Sequence, residues 1–135
     1  MPVSFFDSNV LLYLASGDVG KAEQAEAAIS GGGAISVQVL NEVTSVARRK
    51  MSMSWDEVRL FMGTLREILT VHPLTLDVHD TGFALAERYG FSVYDAMIAA
   101  SALHAGCDTL WSEDMQAGMV LDEGLRIINP FRSAG

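Results

Sequence analysis

Residues 92–105 read SVYDAMIAASALHA, small or apolar on nearly every face of a helix yet carrying a carboxylate, Asp95, in what would be the first turn. A helix lying on a protein surface shows one apolar stripe, whereas one that is apolar all round must be covered on more than one side. This stretch therefore belongs between layers, and Gly106 ends it. Directly after it comes DTLWS (108–112), a short strand, and further on RIINP (126–130), another. The intervening MQAGMVLDEG (115–124) reads as a loop or short helix.

Upstream the same alternation recurs. VSFF (3–6), AISV (34–37) and LTVH (69–72) are short apolar runs of strand character. Between them, NVLLYLAS (9–16) and DVGKAEQAEAAIS (18–30) read as helices, the second N-capped by Asp18 and ended by the glycines at 31–33. A third helix is expected from about Val37 to Met51, closing on Arg48, Arg49 and Lys50. SWDE (54–57) is a capping box that starts a helix to about Leu69, and a further helix from about Thr75 to Tyr89 stops at Gly90. Strands alternating with helices imply crossover connections and a parallel sheet. The expected fold is a three-layer α/β/α sandwich around four to five parallel strands, in a single domain spanning 1–135.

Composition agrees. Of 135 residues, 50% are hydrophobic and 19% charged, enough to build a core. The single cysteine, Cys107, excludes an internal disulfide, fits a reducing compartment and reads as buried filler. The apolar N-terminus has no basic segment and carries Asp7 at its centre, unlike a signal peptide, and no run reaches the roughly 20 uncharged residues of a membrane span. A cytoplasmic protein with no membrane contact is expected. A net charge of −8 argues against polyanion binding by the surface as a whole.

In open parallel sheets, ligands bind beyond the carboxyl ends of the strands. Asp7 follows the first strand, Asp114 follows DTLWS, Glu42 lies early in the helix after AISV, and Asp95 opens the buried helix. Each has an ordinary explanation: Asp7 as an N-cap, Asp95 as a first-turn acid, Glu42 as an exposed helical residue, Asp114 as a turn former. Together they are expected at one sheet edge. Two charges about 5 Å apart at an effective dielectric near 20 repel by roughly 3 kcal/mol, so six such pairs would approach ~20 kcal/mol. No basic residue stands near Glu113 or Asp114 in LWSEDMQAG (110–118). The cluster must then bind cations or hold protons, and hard divalent ions such as Mg²⁺ or Mn²⁺ suit an all-oxygen site. Such a site favours in-line displacement at phosphorus by activated water.

Rival chemistry is poorly supported. His72, His79 and His104 lack metal-ligand spacing, no histidine is placed to activate Ser112, and there is no GxGxxG or GK[ST] loop. An aspartyl phosphotransferase would usually carry a second Asp two residues after the first, where this chain has Asn9. Asn9 and Ser112 are expected to support the carboxylates by hydrogen bonds.

The segments FFDSNVLLYL (5–14), VLNEV (39–43), SVYDAMIAASAL (92–103) and LWSEDMQAG (110–118), in this order across almost the whole chain, resemble the four acidic motifs of PIN-domain ribonucleases, in particular VapC-type toxins of bacterial toxin–antitoxin pairs. That resemblance implies that Asp7, Glu42, Asp95 and Asp114 are the catalytic, metal-binding acids and that Ser112 supports the last of them. Glu113 adjoins the motif acid without matching a ligand position. It further implies cleavage of RNA, often tRNA or rRNA, with Mg²⁺ or Mn²⁺, a homodimer, and inhibition by a small antitoxin protein whose tail enters the active-site groove. A housekeeping RNA-processing nuclease and a non-catalytic RNA- or protein-binding scaffold are the alternatives. The presence of all four acids counts against the scaffold. Arg48, Arg49 and Lys50 form the one basic cluster, either a favourable helix C-terminus or a contact for RNA or a partner. Met51, Met53 and Trp55, expected to be exposed at the following turn, mark an antitoxin or dimer contact.

Overall fold

The computed structural model describes residues 3–116 and 118–131. The strands are β1 (Ser4–Phe6), β2 (Ala34–Ser36), β3 (Thr70–His72), β4 (Thr109–Trp111) and β5 (Arg126–Ile128). They form one parallel sheet in the order β3-β2-β1-β4-β5. The helices are α1 (Ser8–Leu12), α2 (Val19–Ile29), α3 (Val37–Arg49), α4 (Trp55–Ile68), α5 (Leu76–Tyr89) and α6 (Val93–His104).

Successive side chains of a strand point to opposite faces of the sheet. Phe5 and Phe6 are both completely buried, as are Ala34 and Ile35, so the sheet is covered on both faces. This is the three-layer arrangement expected from the sequence. The helix whose pattern implied it, α6, packs against β2, β4, α3 and α5, and every residue from Ala96 to Ala102 is buried. Burying a side chain such as Ile98 stabilises the fold by roughly 1.5–3 kcal/mol. Its packing on α5 is close enough that a Cβ on Gly82 would meet the Met97 sulfur at 2.8 Å. Cys107 is buried, and burial pushes its thiol pKa up to about 11, consistent with an inert filler.

Local signals held where side chains satisfy backbone amides. Asp18 caps α2, Ser54 and Glu57 form the reciprocal capping box of α4, Thr75 caps α5, and Gly90 adopts the left-handed conformation at φ 76° that ends α5. One expectation is corrected. Residues 9–16 do not form one helix: α1 stops at Leu12 and tightens into a 3₁₀ turn over Tyr13–Ala15, closed by the Ser16 hydroxyl donating to the Tyr13 carbonyl at 3.0 Å. Of the two readings of 115–124 the described residues take the loop, with Val120 making an antiparallel bridge to Arg126. No described helix is long and apolar enough to cross a membrane.

The chain begins at the central strand, moves out through β2 to β3, then crosses back to β4 and β5 on the other side. The reversal lies between β1 and β4, where diverging connections leave a crevice beyond the strand ends. Asp7 follows β1 and Ser112 follows β4, so both stand at the mouth of that crevice.

Candidate functional site

Asp7 has two roles at once. Its backbone N–H donates to the Trp111 carbonyl at 2.9 Å, extending the β1–β4 pairing by one residue, and its carboxylate caps α1 by accepting from Ser8 N at 2.7 Å. The other carboxylate oxygen accepts from the Ser112 hydroxyl at 2.7 Å and the Asn9 amide at 3.3 Å. Asp7 is only 3% exposed. Burial lifts its pKa from 3.8 to about 6; the bonds from Ser112 and Ser8 pull it down, and the charges of Asp95 and Glu42 push it further up.

Glu42 is reached through Ser8, whose hydroxyl donates to Oε1 at 2.8 Å, while Gln38, one turn earlier on α3, donates to Oε2 at 2.8 Å. Asp95 is half-buried in the first turn of α6, where the Ser92 hydroxyl accepts its backbone N–H at 3.2 Å. Its pKa is raised, first by burial and then by Glu42 and Asp114, with Ser92 opposing. Asp114 is exposed on the loop after β4 and enters the group through its field on Asp95. The structure thus brings Asp7, Glu42 and Asp95 into one electrostatic neighbourhood, with Asp114 near enough for its charge to act on Asp95.

Three expectations change. Ser112 supports Asp7 and not Asp114: its buried hydroxyl, oriented by accepting Met115 N at 3.2 Å, points across the crevice between β4 and β1. Glu113 is not bare, because Lys21 Nζ on α2 donates to it at 2.6 Å and the Tyr13 hydroxyl at 2.9 Å. Lys21 also lies over the Tyr13 and Phe131 rings, and its pKa is raised above the ordinary lysine value by Glu113 first and Tyr13 second. Repulsion acts across fewer than six pairs, Asp7 feeling Asp95 and Glu42 and Asp95 feeling Glu42 and Asp114, and at both Asp7 and Asp95 burial outranks it. Among the described residues no three His, Cys, Asp or Glu side chains are drawn together as a metal cluster.

The donor chemistry nonetheless fits a hard divalent cation. The ligating atoms on offer are carboxylate oxygens, burial and neighbouring charge disfavour the ionised forms of Asp7 and Asp95, and the nearby lysine is paired with Glu113. Positive charge among these acids would relieve the cost of ionising them.

Ser8, Gln38, Tyr13 and Lys21 were not anticipated. The Gln38–Glu42 pair was legible as an i, i+4 spacing on one helix face. Lys21 and Glu113 are far apart in sequence, and only packing of α2 against the loop after β4 joins them.

At the other end of α3, Arg48 donates to the Met53 carbonyl at 2.8 Å and lies 4.4 Å over the Trp55 ring, and Arg49 donates to the Ser45 hydroxyl at 3.0 Å. Trp55 is 59% exposed, as expected, whereas Met51 and Met53 are half-buried because the turn folds back on the end of α3.

A family model described as PIN domain matches residues 4–117. No curated protein sequence matches the chain. Solved structures with the same fold include a chain of a toxin–antitoxin complex from Klebsiella pneumoniae, at TM-score 0.74 and 20% identity, covering 96% of this chain and 99% of that one. A VapC toxin of Mycobacterium tuberculosis that cleaves the sarcin–ricin loop aligns at TM-score 0.70 and 17% identity, over 84% of this chain and 91% of that one. A chain of the Rickettsia felis VapBC2 complex, bound to a promoter DNA fragment, aligns at TM-score 0.69 and 16% identity, over 94% and 98%.

Proposed function

The chain belongs to the PIN-domain family, and from that premise we propose that it is a metal-dependent endoribonuclease acting as the toxin of a toxin–antitoxin pair. The observation that carries this reading is the buried Asp7 carboxylate at the sheet reversal, held by Ser8, Asn9 and Ser112 and sharing its field with Glu42 and Asp95. Asp7, Glu42, Asp95 and Asp114 would hold Mg²⁺ or Mn²⁺. Bound there, the cation supplies Lewis-acid activation of water and stabilises charge at the reacting phosphate.

The chain's own residues set the stage for that chemistry. Ser112 and Asn9 hold one oxygen of Asp7 and Ser8 holds the other, fixing the carboxylate plane before anything binds. Ser8 and Gln38 do the same for Glu42, at one oxygen each. A carboxylate already oriented loses little freedom on ligation. The raised pKa of Asp7 means that protons compete for it below about pH 6, so binding of cation should weaken there.

The toxin assignment draws support from the similar structures, which come from toxin–antitoxin complexes and from a VapC toxin. In this reading the partner is a small antitoxin protein, and the chain forms a homodimer. Leu76 and Phe83, two turns apart on α5, are 75% and 64% exposed, an arrangement that suits a contact between copies. The deciding experiment incubates purified protein with total RNA in Mg²⁺, in Mn²⁺ and in EDTA. Cleavage with either ion and none in EDTA is expected. Undiminished cleavage in EDTA would overturn the metal-dependent mechanism. Growth arrest on expression, relieved by a small protein encoded next to it, tests the toxin role.

A further inference from the structure

We propose that the turn between α3 and α4 is a docking surface for single-stranded RNA leading away from the carboxylates, with Trp55 stacking a base and Arg49 and Lys50 receiving backbone phosphates. This rests on the nuclease reading and adds a place where the substrate strand is held outside the reacting centre.

A chain of net charge −8 repels a polyanion over most of its surface, so any RNA it binds needs a local cationic contact. Arg48, Arg49 and Lys50 are the one run of consecutive basic residues in the sequence. Among the described residues none of the three is in a salt bridge, unlike Lys21, Arg59 and Arg88. A favourable helix C-terminus explains their position on α3 but does not require the neighbouring tryptophan.

Trp55 is the first residue of α4, immediately after the Ser54 cap, and caps need no aromatic side chain there. Its indole is braced by Arg48, whose guanidinium is itself anchored on the Met53 carbonyl. With 59% of its surface exposed, the ring is a fixed platform open to solvent. Aromatic rings beside cations are the usual means of holding single strands, because every base has a face to stack and every nucleotide a phosphate.

The turn that carries the platform also reaches a groove that leads to the site. Met51, between the basic run and Trp55, lines a groove of about 260 Å³ together with Asn9, Leu12, Tyr13, Ser16 and Glu113. Asn9 joins this groove to the acids, donating to Asp7 and accepting from Glu113 N at 3.1 Å. Leu12, Tyr13 and Met51 give apolar walls, and the one carboxylate in it, Glu113, is neutralised by Lys21. A strand leaving the carboxylates along this groove therefore meets no unpaired negative charge in its lining as far as Met51, which follows Lys50 directly and stands four residues before Trp55 in the chain.

The test measures binding in EDTA of a fluorescein-labelled single-stranded RNA of roughly 16 nucleotides, about the upper site size of a single-strand binding module. Trp55→Ala should raise Kd roughly tenfold, the effect of losing one base stack, and Trp55→Phe should recover most of it. Arg49→Ser and Lys50→Ser should each lower the slope of log K against log salt by roughly 0.7, one phosphate contact on a single strand. With Mg²⁺ added, Trp55→Ala should cut a trinucleotide as fast as wild type and the long RNA more slowly at limiting substrate, a length dependence that a folding defect cannot produce. Unchanged Kd and salt slope in a protein that cuts RNA overturn the surface and leave the nuclease standing. Unchanged RNA affinity with lost affinity for an antitoxin reassigns the surface to a protein and overturns the proposal. If wild type cuts no RNA with either ion but Trp55→Ala still loses RNA binding, the surface stands and the nuclease reading falls.

Discussion

Glu113 and Asp114 are neighbours in the chain, on the same loop at the same edge of the sheet, yet their surroundings are opposite. Glu113 turns toward α2 and is neutralised by Lys21 and bonded by Tyr13; Asp114 lies on the side of Asp95, where its charge adds to a group already short of counter-charge. One side of the crevice is electrostatically closed and the other is not. Only a group left without its counter-charge benefits from an added cation, so the difference separates a structural ion pair from a candidate ligand set better than the acidity of the motif does.

The largest effect expected from this contrast is on cleavage. Asp7→Asn should lower kcat by roughly 10²–10⁴-fold, the range for removing a group that positions or activates the reacting water, whereas Lys21→Met should leave kcat at saturating RNA within a small factor of wild type, any loss falling on KM through the uncovered Glu113. Comparable losses in the two variants, measured on the same RNA, would abolish the distinction between the two sides.

Acidity comes next. An Asp whose folded pKa is raised to about 6 is protonated in both states well below 3.8 and ionised in both well above 6, so between these limits the folded state binds the extra proton. Metal-free stability contributed by Asp7 therefore falls as pH rises through that window, by about 3 kcal/mol in all. Urea melts of wild type and Asp7→Asn in EDTA from pH 4 to 7 should show the wild type losing ground to the variant as pH rises. A constant difference between them would mean that Asp7 is not the titrating group.

A slightly smaller effect belongs to the cation itself. Mg²⁺ at a hundredfold excess over its Kd should stabilise wild type by about 2.7 kcal/mol. Asp95→Asn relieves a carboxylate whose ionisation burial disfavours and keeps the Ser92 cap, which is made to the backbone. It should melt above wild type in EDTA and gain less from Mg²⁺. A variant that melts lower in EDTA and gains the same from Mg²⁺ would make Asp95 a purely structural first-turn acid.

The smallest effect is expected on the closed side. Glu113→Gln removes a partly exposed pair whose Coulomb energy is screened by water, so its melting temperature should fall slightly and its response to Mg²⁺ should match wild type. A lost Mg²⁺ response would place Glu113 among the ligands.

Much of this architecture was legible because its signals are local. The all-round apolar pattern of α6 gave the layered fold, and caps such as Asp18, Ser54 and Gly90 fixed helix ends through bonds to residues within one turn. The break of the first helix at Leu12 was not legible, since residues 9–16 carry a helical pattern and the 3₁₀ tightening depends on the Ser16 bond and on packing.

For the site, strand ends and the order of the elements were enough to bring Asp7, Glu42 and Asp114 toward one edge, because in a parallel sheet every strand delivers the residues after it to the same side, whereas Asp95 follows α5 and reaches that edge as the start of the buried helix α6. Which carboxylate is buried, which is paired and which hydroxyl holds which oxygen were decided by tertiary structure alone. Ser112 meets Asp7 because β4 lies next to β1, and Lys21 reaches Glu113 because α2 packs beside the loop after β4. Charge alternation and hydrophobic period report what a residue does within a turn or a strand; they are silent about a neighbour that arrives from a distant part of the chain, and a carboxylate's pKa and partners depend on that neighbour.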